Sequence, residues 1–76
     1  MNERLLGART EKGMTQEQIA NEVGIDRSTY AHYERGRNPH LDTAIKIAQV
    51  VEKSVEYLFL SNNVLKQRKE RIESAS

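Results

Sequence analysis

The sequence predicts an all-α domain, on three observations. With 37% apolar and 30% charged residues, its composition is helix-friendly and reads as globular rather than disordered. The stretch Thr15 to Gly36, TQEQIANEVGIDRSTYAHYERG, reads as two short helices joined by a tight turn. From Leu41 to Val51, apolar residues then recur at intervals of three and four, the helical period. The 76 residues make one small domain near the lower limit for a core that holds itself together. A chain of this size buries about 60% of the surface its unfolded form exposes, so oligomerisation would help it.

Glu3 to Lys12 reads as the first helix, with Leu5, Leu6 and Ala8 supplying apolar contacts. Gly7 in its middle costs about 1 kcal/mol relative to Ala unless close packing needs it. Lys12-Gly13 ends the helix with a cation at its negative end and a glycine beyond, and Met14 packs inward. Thr15 then caps the second helix. Gln18 stands three positions later, the spacing of a capping box. Ile19, Ala20 and Val23 form one apolar stripe over about two turns, and Gly24 stands where a helix commonly ends in the left-handed conformation. Asp26 is placed to cap the third helix, on which Tyr30 and Tyr33 share a face; Gly36 closes it. In such an arrangement, the helix after the turn can enter a DNA major groove.

Pro39, in the loop Arg37-Asn38-Pro39-His40, forbids a continuing helix and pushes Asn38 toward an extended backbone. Leu41, Ala44, Ile45, Ala48 and Val51 mark a fourth helix, with Ile47 widening its apolar face. Val55 to Leu60, VEYLFL, reads by pattern alone as either a strand or a short helix. Residues 62–76 are a polar tail containing Lys66, Arg68, Lys69 and Arg71. Leu65 and Ile72 are too sparse there for a coiled coil, and a solvated or fraying helix is expected.

Net charge is +1, which argues against coating DNA through bulk charge but not against a small reader, whose affinity depends on where charge sits. Arg27, Arg35 and Arg37 fall within one short segment. The absence of cysteine removes disulfides and cysteine-based zinc sites, and two histidines, His32 and His40, are too few to suggest a metal. No cofactor motif or small-molecule site is evident. No stretch approaches about 18 consecutive apolar residues, and the N-terminus lacks the apolar core of a signal peptide. No membrane association is expected, and the simplest expectation is a cytosolic protein.

The joint pattern Gln16, Ala20, Gly24, Ile25, Tyr33, Glu34 and Gly36 resembles the XRE-type, phage Cro/repressor-like helix-turn-helix family over roughly Glu3 to Leu60. Members commonly carry a TQ-x-x-(L/I)-A-x-x-(V/L)-G run ahead of a (W/Y/L)-E-x-G ending. The resemblance implies a compact five-helix bundle over residues 1–61, with the helix-turn-helix core at 15–36 and VEYLFL as a fifth helix capped by Ser54. The turn before it departs from the family, which often has Gly or Asn where this chain reads Glu52-Lys53-Ser54. Either Lys53 adopts a left-handed conformation at some cost, or the turn is built differently. The family also takes in mobile-element repressors and restriction-modification controllers, which can activate as well as repress, and small members are typically bacterial or phage proteins.

With Tyr30 and Tyr33 turned to the core and their hydroxyls at its rim, the outward side of the third helix carries Arg27, Ser28, Ala31, His32 and Arg35. The resemblance makes positions Arg27, Ser28 and His32 the usual base readers, with Thr29 a further candidate along the groove wall. The ordinary alternative is an exposed polar helix face. Gln16, in the first turn of the second helix, is a candidate phosphate ligand or a solvent-facing cap assistant. Arg35, Arg37 and Asn38 are candidate phosphate contacts on the other side, with His40 in the same polar cluster. Arg9 and Glu34 are expected, from the resemblance, to form a structural ion pair between the first and third helices. VEYLFL holds more apolar residues than one short helix needs, and an exposed apolar patch invites a two-fold partner; Tyr57 and Leu60 are the candidate dimer contacts.

The expectation is therefore a sequence-specific regulator that binds double-stranded DNA as a homodimer on a palindromic operator, most simply a repressor. Its rival is an antitoxin-like protein-interaction adaptor that keeps the fold without specific DNA reading, since fold does not fix function. An enzyme is the poorest reading. His32 with Asp26 or Glu34 could mimic an acid–base pair, but no cleft, nucleophile or cofactor motif accompanies them.

Overall fold

The computed structural model describes residues 1–60, so the expectations for the tail at 62–76, including Leu65 and Ile72, lie outside the described residues. Five helices follow one another: α1 (Glu3–Glu11), α2 (Gln16–Val23), α3 (Arg27–Glu34), α4 (Leu41–Val51) and α5 (Val55–Phe59), with no strand among the described residues. Helix α2 packs on α3 and α4, α4 on α5, and α1 spans α3 and α5. The shared core is built from Leu5, Ile19, Tyr30, Ile47 and Val51, each buried, with Leu58 and Phe59 closing it from α5. Met14, Ile25, Val50 and Val55 pack against its edge.

Local chemistry fixes most of the helix ends. Asn2 caps α1, its Oδ1 accepting from the Leu5 N–H at 3.0 Å. Thr15 and Gln18 form a reciprocal capping box on α2: the Thr15 hydroxyl accepts from the Gln18 N–H at 3.0 Å, and the Gln18 Oε1 accepts from the Thr15 N–H at 2.8 Å. Two orphan donors are thereby satisfied at once. Gly24 ends α2 at φ 87°, a left-handed conformation that glycine adopts without a Cβ penalty; this is the tight turn that sets α3 across α2. Ser54 caps α5 by accepting from the Tyr57 N–H at 3.0 Å.

Two local expectations are corrected, and one open alternative is decided. Asp26 occupies the cap position of α3, but its side chain makes no capping hydrogen bond. The buried stripe of α4 is Ala44, Ile47, Ala48 and Val51, whereas Leu41 is 68% exposed and Ile45 is 42% exposed. At 3.6 residues per turn, one residue corresponds to about 100°, so Ile45 points well away from Ala44. Leu41, at the first helical position, is turned to the same side. The α4–α5 turn takes its left-handed residue at Glu52 (φ 59°, ψ 45°) rather than at Lys53. The Glu52 carboxylate pairs with Lys12, and Lys53 Nζ lies 3.1 Å from Glu11 Oε1. Two crossed ion pairs thus link the end of α1 to this turn.

Candidate nucleic-acid interface

The orientation of α3 follows from its two tyrosines. Tyr30 and Tyr33 lie three apart and both enter the core, which rolls the opposite side of the helix outward. Arg27, Ser28 and His32 are exposed there, with Thr29 and Ala31 half-buried at the edges. Arg35, at the C-cap, is exposed as well. The backbone N–H of Arg37 donates to the His32 carbonyl at 3.1 Å, folding the following loop back onto the helix. Arg37, Asn38 and His40 are exposed on that loop.

Glu34, only 4% exposed, is the buried charge of this framework among the described residues. Its Oε2 accepts from Arg9 Nε at 2.6 Å and from the Tyr30 hydroxyl at 2.6 Å. Its Oε1 accepts from Gln16 Nε2 at 3.0 Å and from Arg9 Nη2 at 3.4 Å. Arg9 also donates through Nη1 to the Met14 carbonyl at 2.8 Å. Burial pushes the Glu34 carboxyl up, but the hydrogen bonds from Arg9, Tyr30 and Gln16 together with the Arg9 charge outweigh it and hold the group below the usual glutamate range. The hydrogen bond to Glu34 raises Arg9, and burial followed by the same carboxylate pushes the Tyr30 phenol above the usual tyrosine range. One carboxylate thus joins α1, the first residue of α2 and the end of α3, and every donor arriving there is matched by an acceptor.

Two features of this cluster differ from the sequence reading. The Tyr30 hydroxyl is not at the rim of the core; Tyr30 is 0% exposed and its oxygen is buried on Glu34. The Gln16 side chain is half-buried, with one amide hydrogen committed to Glu34, so it is not simply a solvent-facing neighbour of the cap. The sequence reading also missed Asn2 as a clasp. Its backbone N–H donates to the Glu34 carbonyl at 2.7 Å, and its Nδ2 donates to the Leu58 carbonyl at 2.7 Å. The signal available was an Asn immediately before a helix, a preferred cap residue.

Gln16 and Arg27 border one shallow groove, together with Thr10, Gly13, Thr15 and Glu17. Thr29, His32, Arg37 and Asn38 border a second at the other end of α3. Six of the candidate contacts thus border one or other of these two grooves, and Ser28 and Arg35 border neither. Tyr57 is 43% exposed and Leu60 half-buried, both far along the chain from this face. The Arg4 guanidinium lies 5.0 Å from the Tyr57 ring centre and Lys53 Nζ 5.6 Å from it, so two cations of the same chain already attend that ring. No group of three or more metal-ligating side chains occurs among the described residues, and no helix among them is long and apolar enough to cross a membrane.

A family model described as helix-turn-helix matches residues 6–58. The chain is 43% identical over 61 residues to an uncharacterised HTH-type transcriptional regulator of Archaeoglobus fulgidus, covering 79% of this chain and 87% of that protein. It is 37% identical over 59 residues to the cryptic phage CTXphi transcriptional repressor RstR of Vibrio cholerae, covering 76% of this chain and 53% of the repressor. It is 32% identical over 68 residues to the HTH-type transcriptional regulator ImmR of Bacillus subtilis, covering 88% of this chain and 54% of ImmR. The chain thus spans most of the archaeal relative but about half of the other two. No solved structure matches it. A buried Tyr30–Tyr33 face, a glycine-ended α2 and a family match running from α1 into α5 lead to one conclusion: the chain belongs to the XRE-type, phage Cro/repressor-like helix-turn-helix family of transcriptional regulators.

Proposed function

We propose that the chain is a sequence-specific, double-stranded-DNA-binding regulator that represses transcription by occupying an operator as a homodimer, in the cytoplasm of a prokaryotic cell. The observation that carries this reading is the free outward side of α3, where Arg27, Ser28 and His32 are exposed because Tyr30 and Tyr33 are buried behind them. Arg27, at the first position of α3, suits the bidentate pair to guanine O6 and N7, a contact worth about 1–3 kcal/mol of discrimination. Ser28 and His32 add contacts to neighbouring base edges, with Thr29 along the groove wall. Gln16 on one side, through the amide hydrogen not used by Glu34, and Arg35, Arg37 and Asn38 on the other grip the phosphates and set register. The names of the relatives, two of which are a phage repressor, favour repression over activation.

Two copies related by a dyad place their α3 helices about 34 Å apart, one turn of DNA, and Tyr57 with Leu60 is the proposed contact between them. Selection of bound fragments from random duplex DNA tests the reading. A two-fold symmetric consensus with half-sites one turn apart is the expected outcome, with sedimentation of the free protein reporting the dimer. Recovery of no consensus, with only salt-dominated association, would overturn the reading in favour of an interaction adaptor.

A further inference from the structure

The hollow at the C-terminal end of α3 brings together side chains that the regulator reading treats separately. Thr29 and His32 of α3 border it on one side, and Arg37, Asn38, Pro39 and His40 of the following loop on the other. Both histidines of the described chain are therefore at one place, and both are exposed. The loop is held in position by the Arg37 N–H bond to the His32 carbonyl and by Pro39, whose ring fixes its own backbone. No carboxylate lines the hollow among the described residues; the other titratable group there is the Tyr33 phenol. Arg35 adds positive charge at the C-cap of α3. Asp42, in the first turn of α4, turns its Oδ1 to its neighbour, accepting from the Thr43 N–H at 2.8 Å. Asp26 stands at the opposite end of α3, on a different hollow.

An Arg, an Asn amide, a Thr hydroxyl and two imidazoles with no facing carboxylate form a set of donors suited to an anion. The imidazoles donate from both nitrogens only when protonated. We infer that this hollow is a proton-coupled phosphate site, in which a backbone phosphate of DNA is held by Arg37 and Asn38 together with the protonated rings of His32 and His40. The inference rests on the DNA-binding reading and deepens it, adding His32 and His40 and a proton linkage to the phosphate contact that reading gives to Arg37 and Asn38. It also gives His32 two uses, one N–H for the phosphate and one for the groove. An anion beside an imidazole favours its charged form, so binding takes up protons, and affinity falls as pH rises through the range where histidine titrates. Each pKa unit gained on binding corresponds to about a tenfold loss of affinity across that range.

The test uses the full chain with two probes: a 16-base-pair duplex of random sequence, and inorganic phosphate. The titration midpoints of His32 and His40 are read from their ring C–H resonances with and without each probe. Both midpoints should rise on the duplex, and affinity for the duplex should fall at least about fivefold from pH 5.5 to 8.0. Each of H32Q and H40Q should flatten that dependence, and R37A should reduce the shift in both rings. A rise with the duplex alone assigns the site to the DNA backbone, whereas a rise with inorganic phosphate as well makes the free anion a competitor for the same hollow. Unmoved midpoints with both probes, or a pH dependence that survives in the H32Q/H40Q double variant, would overturn the site. Both histidines are exposed and His40 makes no side-chain capping bond, so these variants keep the fold; thermal unfolding verifies it. The random-sequence duplex keeps the outcomes separate: shifted midpoints without a selected consensus would retain the phosphate site and reject sequence reading.

Discussion

Gln16, the first residue of α2, donates from its Nε2 to the Oε1 of Glu34 at the end of α3, 3.0 Å away. The contact closes the helix-turn-helix at its open end, opposite the Gly24 turn, so the two helices are joined at both extremities. Arg9 brings α1 to the same carboxylate. The angle at which α3 is presented thus depends on one buried side chain, and removing a single partner should cost more than the pair contributes. Glu34→Ala, which leaves the Arg9 guanidinium without its partner, is expected to lose about 3–5 kcal/mol, most of the stability of a domain this small. Arg9→Ala should fall in the same range, and the double variant should cost clearly less than the sum of the two. Urea denaturation of the three variants measures this. Additive losses would show that the two groups do not act as a unit.

The same cluster sets the response to pH. Glu34 is held below the ordinary glutamate range in the folded chain, so its contribution is fully present above its unfolded pKa of about 4.3 and is lost as pH falls through the folded value. Tyr30 is shifted the other way; its contribution is present below the unfolded tyrosine pKa of about 10 and is lost as pH rises beyond it. Stability should accordingly be flat between about pH 5 and 9 and decline on both sides. In Glu34→Gln the deficit relative to the parent chain should shrink progressively below pH 4.5. Denaturation midpoints from pH 3 to 11 give the comparison, and a deficit constant with pH would place the acid sensitivity elsewhere, for instance at Glu52, which Lys12 also holds low.

Gly7 is a defect that nothing in the surroundings requires. It sits inside α1, is exposed, and a Cβ built there meets no atom within 4 Å. Gly7→Ala should therefore recover the helix propensity difference of about 1 kcal/mol, or roughly 4–8 °C in Tm for a chain of this length. DNA affinity should not change, since Gly7 borders neither of the grooves beside α3. A Tm equal to or below that of the parent would mean that the glycine has a role in α1 that packing does not reveal.

What could be read from the sequence were the features carried by neighbours three or four residues apart. The Thr15–Gln18 box, the Ile19–Ala20–Val23 stripe and the Gly24 ending are all local, and each fixes its own helix. The burial of Leu41 and Ile45 was misread for the opposite reason. With Leu41, Ala44, Ile45, Ile47, Ala48, Val50 and Val51 in one helix, more than one stripe fits the period, and the positions of α2 and α5 decide which side is covered. The left-handed residue falls at Glu52 rather than Lys53, two positions before the Ser54 cap of α5. The convergence of residues 9, 16, 30 and 34 on one carboxylate joins parts of the chain up to 25 residues apart. Periodicity holds no information at that separation; the Arg9–Glu34 pair within it is expected from the family resemblance alone. Of the candidate interface, the inward tyrosines define the outward residues, but the grouping of His32 with His40 depends on how the Pro39 loop folds back.

Arg27 and Arg37 should separate two kinds of contact that look alike in a charge count. Arg27 opens α3 beside the groove face, whereas Arg37 lies on the loop beyond its end. Arg27→Ala should relax preference at one base position per half-site, with about 1–3 kcal/mol of discrimination lost there, and leave the remaining positions selective. Arg37→Ala should weaken binding to every sequence alike and reduce the slope of log affinity against log salt by about one unit, with the consensus unchanged. Both are exposed, so neither change should alter the unfolding midpoint by more than about 0.5 kcal/mol. Competition against a set of single-position operator variants at several salt concentrations reads both effects in one experiment. If Arg27→Ala lowers affinity uniformly while Arg37→Ala alters the consensus, the roles are reversed, and the loop rather than the start of α3 reads the bases.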